Sequence, residues 1–261
     1  EGLQHCHPPV EGSGRKGVMR KHMTRVLHET LGHIPEAIYL GEDVRHGGYY
    51  LVTDGLASEF PSRVQDFPPD ETSLIGAGIG YAQAGLLPIV EIPYAKYLDC
   101  GIDQYYEAAI NFWLSNGRQP NGMIIRLQGF DRGVFGGNFH THNMLSIPPG
   151  LDVVCFSNGA DYVRGFRRAL QLAKQGRVVM TVDSTALLNQ RHLHGRDDGW
   201  MKAYPEDSAG MLDFNDITWY GPQDASCAVV TYGNGVPTAL QAAQELQNAG
   251  LSIAVLDTPY L

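Results

Sequence analysis

The sequence predicts an α/β fold, a mostly parallel sheet flanked by helices. Apolar, β-rich runs recur along the chain, and the segments between them carry apolar residues at helical spacing. The runs are almost continuously apolar rather than alternating, as strands covered on both faces require. With 261 residues, 43% of them hydrophobic, the chain has ample material for a packed core and length for more than one domain.

Taken in order, residues 18–31 read as the first helix, with Val18, Met23, Val26, Leu27 and Leu31 toward one side. Ile38-Tyr39-Leu40 is a short strand running into Gly41-Glu42-Asp43, and residues 71–84 form the next helix. Pro88-Ile89-Val90-Glu91-Ile92 is a strand, followed by a helix over 98–114 carrying Leu98, Ile102, Tyr106, Ala109 and Trp113. Met123 to Leu127, Leu151 to Phe156 and Val178 to Val182 are further strands, with a helix at 161–174 presenting Val163, Phe166, Leu170 and Ala173. Residues 185–222 break this rhythm, and the polar stretch from His192 to Gly210 reads as a linker. Beyond it, Cys227 to Tyr232, a helix over 236–249 and Ser252 to Leu256 make one βαβ unit, too small to bury both faces of a sheet unaided. A chain that opens on Glu1 and stops at Leu261, just after a strand, is expected to be a fragment or a processed chain.

The charge balance narrows the function classes. Nineteen Lys and Arg stand against 28 Asp and Glu, a formal net charge of −9. No basic field is available to collect nucleic-acid phosphates or anionic membrane surfaces, so neither is expected as a partner. No apolar run reaches the roughly 20 residues of a bilayer span, and the first residues lack a signal-peptide profile. Cys6, Cys100, Cys155 and Cys227 lie far apart without paired spacing, which suits free thiols in a reducing compartment, cytoplasm or mitochondrial matrix.

Several motifs invite chemistry and fall short of it. Gly76-Ala77-Gly78-Ile79-Gly80 lacks the sixth-position glycine of a dinucleotide fingerprint and reads instead as a helix approaching a neighbour closely. His5/His7, His140/His142 and His192/His194 are spaced as paired metal ligands, but no cysteine or carboxylate cluster completes any of them, and no metal site is assigned to this chain. His140 follows the glycine-rich loop Gly133 to Asn138 between two strands, where α/β sheets place ligands. Glu71, after Pro68-Pro69-Asp70, reads on spacing alone as a helix N-terminal acid favoured by the dipole. There is no Gly-x-Ser-x-Gly elbow, so a hydrolase is not supported.

One resemblance changes the reading of these residues. The pieces Gly41-Glu42-Asp43-Val44, Gly47-Gly48, Thr53-Asp54-Gly55-Leu56, Arg63-Val64-Gln65-Asp66, Pro68 through Glu71, Gly76, Gly80, Ala82 and Gly85 stand in a familiar order. Pro88 to Ile92, Asp103-Gln104, Ile125-Arg126, Gly137 to His140, Pro149-Gly150-Leu151 and Thr231-Tyr232-Gly233 continue it. Over about 18–261 the chain resembles the β subunit of the thiamine-diphosphate-dependent decarboxylase component of 2-oxo acid dehydrogenase complexes, a transketolase-like family. The resemblance implies a transketolase-type pyrimidine-binding domain at 16–200 and the start of a transketolase C-terminal domain at 223–261; residues 1–15, a Pro- and Gly-rich end, are expected to be a flexible segment and 201–222 a linker.

It also implies an interfacial cofactor. In such enzymes this subunit holds the aminopyrimidine of thiamine diphosphate, while a diphosphate-binding α-type subunit or region holds the diphosphate through Mg²⁺; the Gly-Asp-Gly signature of that partner is not found here. On the family pattern Glu71 hydrogen-bonds the pyrimidine ring nitrogen, Tyr97 packs against the ring, and His140 stands near the substrate and the acyl-transfer step. The implied reaction is oxidative decarboxylation of a 2-oxo acid with acyl transfer to a lipoyl carrier. The implied partners are the α-type subunit, a second β-type subunit and a lipoyl acyltransferase core. Pro69, Lys96 and the Thr141-His142 sequence after His140 depart from the pattern, and the run to Pro149 is about three residues shorter than usual. Two alternatives remain at this point: a transketolase-like transfer enzyme using the same cofactor, and a non-catalytic structural or regulatory subunit.

Overall fold

The computed structural model describes residues 5–130 and 150–261. Its strands are β1 (Cys6–His7), β2 (Lys16–Gly17), β3 (Ala37–Gly41), β4 (Val64–Asp66), β5 (Leu87–Ile92), β6 (Met123–Gly129), β7 (Leu151–Val154), β8 (Val178–Ser184), β9 (Lys202–Ala203), β10 (Ile217–Tyr220), β11 (Cys227–Thr231) and β12 (Ile253–Asp257). Its helices are α1 (Met19–His33), α2 (Leu56–Glu59), α3 (Glu71–Gln83), α4 (Ile102–Leu114), α5 (Gly159–Lys174) and α6 (Gly235–Asn248). The described residues fall into two compact units, one drawn from Met23–Val154 and Ala169–Thr185, the other from Glu1–His22, Cys155–Arg168 and Ala186–Leu261.

In the first unit, six strands form one sheet in the order β4-β3-β5-β6-β8-β7, and every pairing is parallel. Every residue of β3, β5, β6, β7 and β8 is buried, which is why these runs lack polar alternation. Across the middle of the sheet Tyr39 pairs with Ile89, Ile89 with Ile124 and Ile124 with Val179. Helix α3 packs against β5, and its middle glycine explains the Gly-rich run. A Cβ on Gly78 would lie 2.8 Å from Val90 Cγ2 and 2.7 Å from Met123 Cε, whereas one on Gly80 would meet nothing within 4 Å. Close approach is therefore required at Gly78 and not at Gly80.

Two elements end differently from the sequence expectation. The helix expected over 98–114 is a 3₁₀ turn, Ala95–Gly101, followed by α4. Gly101 marks the change because its α-carbon lies against the start of α3: a Cβ there would stand 2.9 Å from the Glu71 carbonyl oxygen. The run Leu151 to Phe156 leaves its sheet after Val154, and the Cys155 amide donates instead to the Pro259 carbonyl at 2.8 Å.

In the second unit, four strands are ordered β1-β10-β12-β11, with β11 parallel to β12 and β10 antiparallel to it. Helix α6 packs on β12, and Trp200, Val236 and Val255 form a core with Leu193, Tyr220, Leu240 and Ala243. Strands β9 and β10 fall within the interval read as a break in the pattern. The polar stretch around His192 is hydrogen-bonded upon itself. The Asp197 carboxylate accepts the amides of Leu193 (2.9 Å), His194 (2.8 Å) and Gly199 (3.0 Å), and these bonds hold its pKa down to about 2. Polar side chains here replace water as partners of the loop backbone. None of the four cysteines is in a disulfide, and among the described residues no helix is long and apolar enough to cross a membrane.

Opposite signs are expected at two positions of α3. Gly78→Val overpacks the interface with β5 and β6 and should lower stability by about 1–3 kcal/mol. Gly80→Ala, facing open space in a helix, should raise it by up to about 1 kcal/mol. Chemical denaturation of both variants checks this, and equal effects would contradict the packing account.

Candidate cofactor site

The carboxyl ends of parallel strands, and the loops leaving them, form the usual ligand crevice of an α/β sheet. Here β3, β5, β6 and β8 bring Tyr39, Glu91, Arg126 and Asp183 together at that edge. Arg126 is 0% exposed. Its guanidinium donates to Glu91 Oε2 at 2.6 Å and, in shorter contacts, to Asp183 Oδ2 and the Tyr39 hydroxyl. Tyr39 donates in turn to Glu91 Oε2, and Gln128 Nε2 donates to Glu91 Oε1 at 2.8 Å. Two buried carboxyls share one guanidinium, so the cluster carries an excess of negative charge when both are ionised. Burial, opposed by Arg126 and reinforced by Glu91, pushes the pKa of Asp183 up to about 6.

The loop after β3 rests on this cluster. Gly48 has φ +65, and a Cβ there would stand 3.0 Å from Glu91 Oε1, so the backbone meets the carboxylate with no side chain between them. Thr53 Oγ1 donates to the Val44 carbonyl at 2.8 Å and closes the loop. Within it Glu42 is buried and its pKa is raised, first by burial and then by Glu71, with Asp43 and Glu91 adding to the effect. The Tyr49 hydroxyl donates to the Glu42 carboxyl and pulls the other way. Glu42 Oε1 is buried without a hydrogen-bond partner among the described residues.

Glu71 is placed by the start of α3. Asp70, in an extended conformation, caps the helix by accepting from the Ser73 amide at 3.3 Å and the Ser73 hydroxyl at 2.6 Å, bonds that hold its carboxyl below the usual range. Glu71 is therefore the first helical residue, beside the positive end of the helix dipole. Thr72 Oγ1 donates to the Cys100 carbonyl at 2.7 Å, and Gly101 closes on the Glu71 carbonyl, so the following turn clamps this end of α3. Glu71 is 7% exposed, and its carboxyl has no hydrogen-bond partner among the described residues.

The 3₁₀ turn that clamps α3 also carries the aromatic side of the site. Tyr97 is half-buried and meets Tyr94 edge to face at 5.5 Å; Tyr49 meets Tyr94 in the same way at 5.3 Å. Lys96, which departs from the family pattern, pairs with Asp99 at 2.5 Å.

Glu71 and Tyr97 thus belong to one neighbourhood: Gly101, at the end of the turn that carries Tyr97, closes on the Glu71 carbonyl, and Tyr94 of the same stretch meets both Tyr97 and Tyr49. His140, His142 and the glycine-rich loop before them lie outside the described residues. The other histidine pairs have structural partners: His5 and His7 face Asp216 Oδ1 at 3.4 and 3.6 Å, and His192 Nδ1 accepts from the Asp198 amide at 2.9 Å. Among the described residues no group of three His, Cys, Asp or Glu is arranged to hold a metal ion. Sequence reading gave no role to Glu42, Tyr49, Tyr94, Glu91, Arg126 or Asp183. The available signal was a charged residue inside a strand otherwise apolar on both faces, Glu91 in one and Arg126 in another.

Fold and site define an α/β domain with buried carboxyls and a tyrosine cluster at the carboxyl edge of a parallel sheet. Residues 16–187 match the family described as "Transketolase, pyrimidine binding domain". Over 237 residues the chain is 31% identical to the 2-oxoisovalerate dehydrogenase subunit beta of Bacillus subtilis, covering 88% of this chain and 68% of that protein. It is 26% identical over 264 residues to the acetoin:2,6-dichlorophenolindophenol oxidoreductase subunit beta of Cupriavidus necator, covering 93% and 72%. Among solved structures, the transketolase from Leishmania mexicana is similar with a TM-score of 0.69 at 16% identity, over 97% of this chain and 35% of that one. The chain belongs to the transketolase pyrimidine-binding family, as a β-subunit-type member akin to those of 2-oxo acid dehydrogenases.

The residues present fit a pyrimidine. Such a ring offers a nitrogen for a carboxyl and flat faces for aromatic side chains, and the site holds the largely buried Glu71, whose carboxyl has no hydrogen-bond partner among the described residues, and the tyrosine rings of the neighbouring turn. The charge cluster predicts a clear asymmetry. Arg126→Met leaves two buried carboxyls uncompensated and should cost about 3–5 kcal/mol, whereas Asp183→Asn leaves one ion pair intact and should cost far less. Because the Asp183 pKa is raised from 3.8 to about 6, its contribution to stability is fully present below the lower value and declines as pH rises through that window. Asp183→Asn should flatten this part of the stability–pH curve, measured by denaturation from pH 3.5 to 7; an unaltered slope would contradict the assignment.

Proposed function

We propose that this chain is the pyrimidine-holding, β-type component of a thiamine-diphosphate-dependent enzyme that decarboxylates a 2-oxo acid and passes the acyl group to a lipoyl carrier. The observation that carries this reading is the placement of the Glu71 carboxyl, 7% exposed at a helix N-terminus next to the turn that carries the tyrosine cluster. A carboxyl held at a helix N-terminus in a largely buried place is set to meet a polar group of a ligand. The chain's similarity to a 2-oxoisovalerate dehydrogenase β subunit supports 2-oxo acid chemistry over sugar transfer.

When bound, the cofactor supplies the nucleophilic carbon and the electron sink for decarboxylation. Glu71 hydrogen-bonds the pyrimidine ring nitrogen and holds or gives up a proton there. Tyr97 offers ring surface to the pyrimidine, and His140 donates to charge developing on the substrate. The diphosphate and Mg²⁺ are held by an α-type partner, so the working unit is a hetero-oligomer, with a second β-type chain and a lipoyl acyltransferase core as further partners in cytoplasm or mitochondrial matrix.

Calorimetric titration of thiamine diphosphate with Mg²⁺ tests the reading. Tight binding is expected for the native assembly and not for this chain alone; an intact assembly that binds none overturns the proposal. In the assembly, Glu71→Ala should lower turnover by at least about 100-fold with the fold retained, the range usual for a lost acid–base group. Unchanged turnover would assign the chain a scaffolding role.

A further inference from the structure

We propose that Glu91 is a positioning residue for the tyrosine cluster: its carboxylate seats the loop after β3, and that loop braces Tyr94 against Tyr97. The inference deepens the functional reading above, on which its purpose rests, but the contacts stand on the geometry of this chain. The Glu91 side chain is buried and held at both oxygens. Oε2 accepts from Arg126 at 2.6 Å and from the Tyr39 hydroxyl, and Oε1 accepts from Gln128 Nε2 at 2.8 Å. Oε1 is also the atom that a Cβ on Gly48 would meet at 3.0 Å, so a fixed carboxylate oxygen lies against the loop backbone. At the foot of the same loop, a Cβ on Gly41 would stand 3.0 Å from Glu91 Cβ. Two points of the segment thus rest on one side chain.

The loop transmits that contact because it is tied to itself. The Gly48 amide donates to the Asp43 carbonyl at 3.0 Å, the Thr53 amide to the Gly47 carbonyl at 3.3 Å, and Thr53 Oγ1 to the Val44 carbonyl at 2.8 Å. Leu51 holds φ 57, a left-handed conformation that a leucine keeps only where its surroundings fix it. Directly after Gly48 come Tyr49 and Tyr50, whose rings meet Tyr94 edge to face at 5.3 and 6.5 Å. Tyr94 is buried; its ring meets Tyr97 at 5.5 Å, and its carbonyl accepts the Tyr97 amide at 2.9 Å. Glu91 therefore reaches Tyr94 by two routes, along the backbone at the end of β5 and across the loop through Gly48. The second route sets the ring. Edge-to-face pairs hold a preferred offset, so a displaced Tyr49 releases Tyr94 and with it the ring surface of Tyr97.

The test acts on Gly48, because removing the Glu91 carboxyl outright leaves Arg126 short of an acceptor and unsettles the sheet. In the full chain labelled with 3-fluorotyrosine, the ¹⁹F signals of Tyr49, Tyr94 and Tyr97 are assigned by their loss in Tyr49→Phe, Tyr94→Phe and Tyr97→Phe. Gly48→Ala pushes the loop off Glu91 and should shift all three signals. Alanine at φ 65 is strained whatever the space, so a second substitution separates the causes. Glu91→Asp, one methylene shorter and still charged, should return the Tyr94 and Tyr97 signals toward their original positions when combined with Gly48→Ala. Unmoved Tyr94 and Tyr97 signals in Gly48→Ala, or a shift that Glu91→Asp leaves unchanged, overturn the proposal. In the assembly, Gly48→Ala should weaken binding of thiamine diphosphate with Mg²⁺ by about 2- to 10-fold, the weight of one aromatic contact, and lower turnover at saturating cofactor less. Signals that move while binding stays the same also overturn it. If the wild-type assembly binds no thiamine diphosphate, the functional reading falls, and the fluorine spectra alone decide whether Glu91 sets the tyrosines.

Discussion

The carboxyl edge of the parallel sheet depends on one buried guanidinium. Arg126 spans three strands, binding Glu91 on one side and Asp183 on the other, with Tyr39 closing the third approach. A charge at 0% exposure is tolerable only when its hydrogen-bonding capacity is met, and each neighbouring strand supplies a partner at the register that meets it. Glu91 pairs directly with Arg126 across the β5–β6 ladder, so the ion pair and the sheet register reinforce each other. A slip of one residue would turn these charges onto the opposite face.

What lies above the cluster inherits its position. The loop after β3 meets Glu91 through a bare glycine backbone, and that contact sets where Glu42 and Tyr49 stand. Glu71 arrives from the other direction, held by its capping aspartate and by a turn that approaches α3 through Gly101. Burial, with Glu71 next in effect, thereby raises the pKa of Glu42. Such an arrangement is costly for stability and useful for chemistry, since it leaves polar groups waiting for a ligand.

The strands were legible in the sequence because burial on both faces leaves an unbroken apolar run, as in Met123 to Ile125 and Val178 to Val182. Gly78 was legible as a close-approach glycine, whereas its neighbour Gly80 carries the same letter without the same need. The helix over 98–114 was misjudged at its start, because the 3₁₀ turn there is imposed by contact with α3 and leaves no mark in local periodicity. The stretch around His192 looked like a linker because its polarity satisfies its own backbone rather than solvent. The role of Glu71 came from resemblance; on spacing alone it was a dipole-favoured acid like many others.

The sequence by itself determined the class of the fold, the identity and order of most strands and helices, and the family to which the chain belongs. Those properties follow from local pattern and from residue order, both written along the chain. The tertiary structure alone decided that Glu91, Arg126 and Asp183 form one cluster, that Gly48 lies against Glu91, and that Gly101 closes on the start of α3. These partners are separated by other strands and helices, and their energies arise from burial, which no single segment possesses until the sheet has brought the others against it.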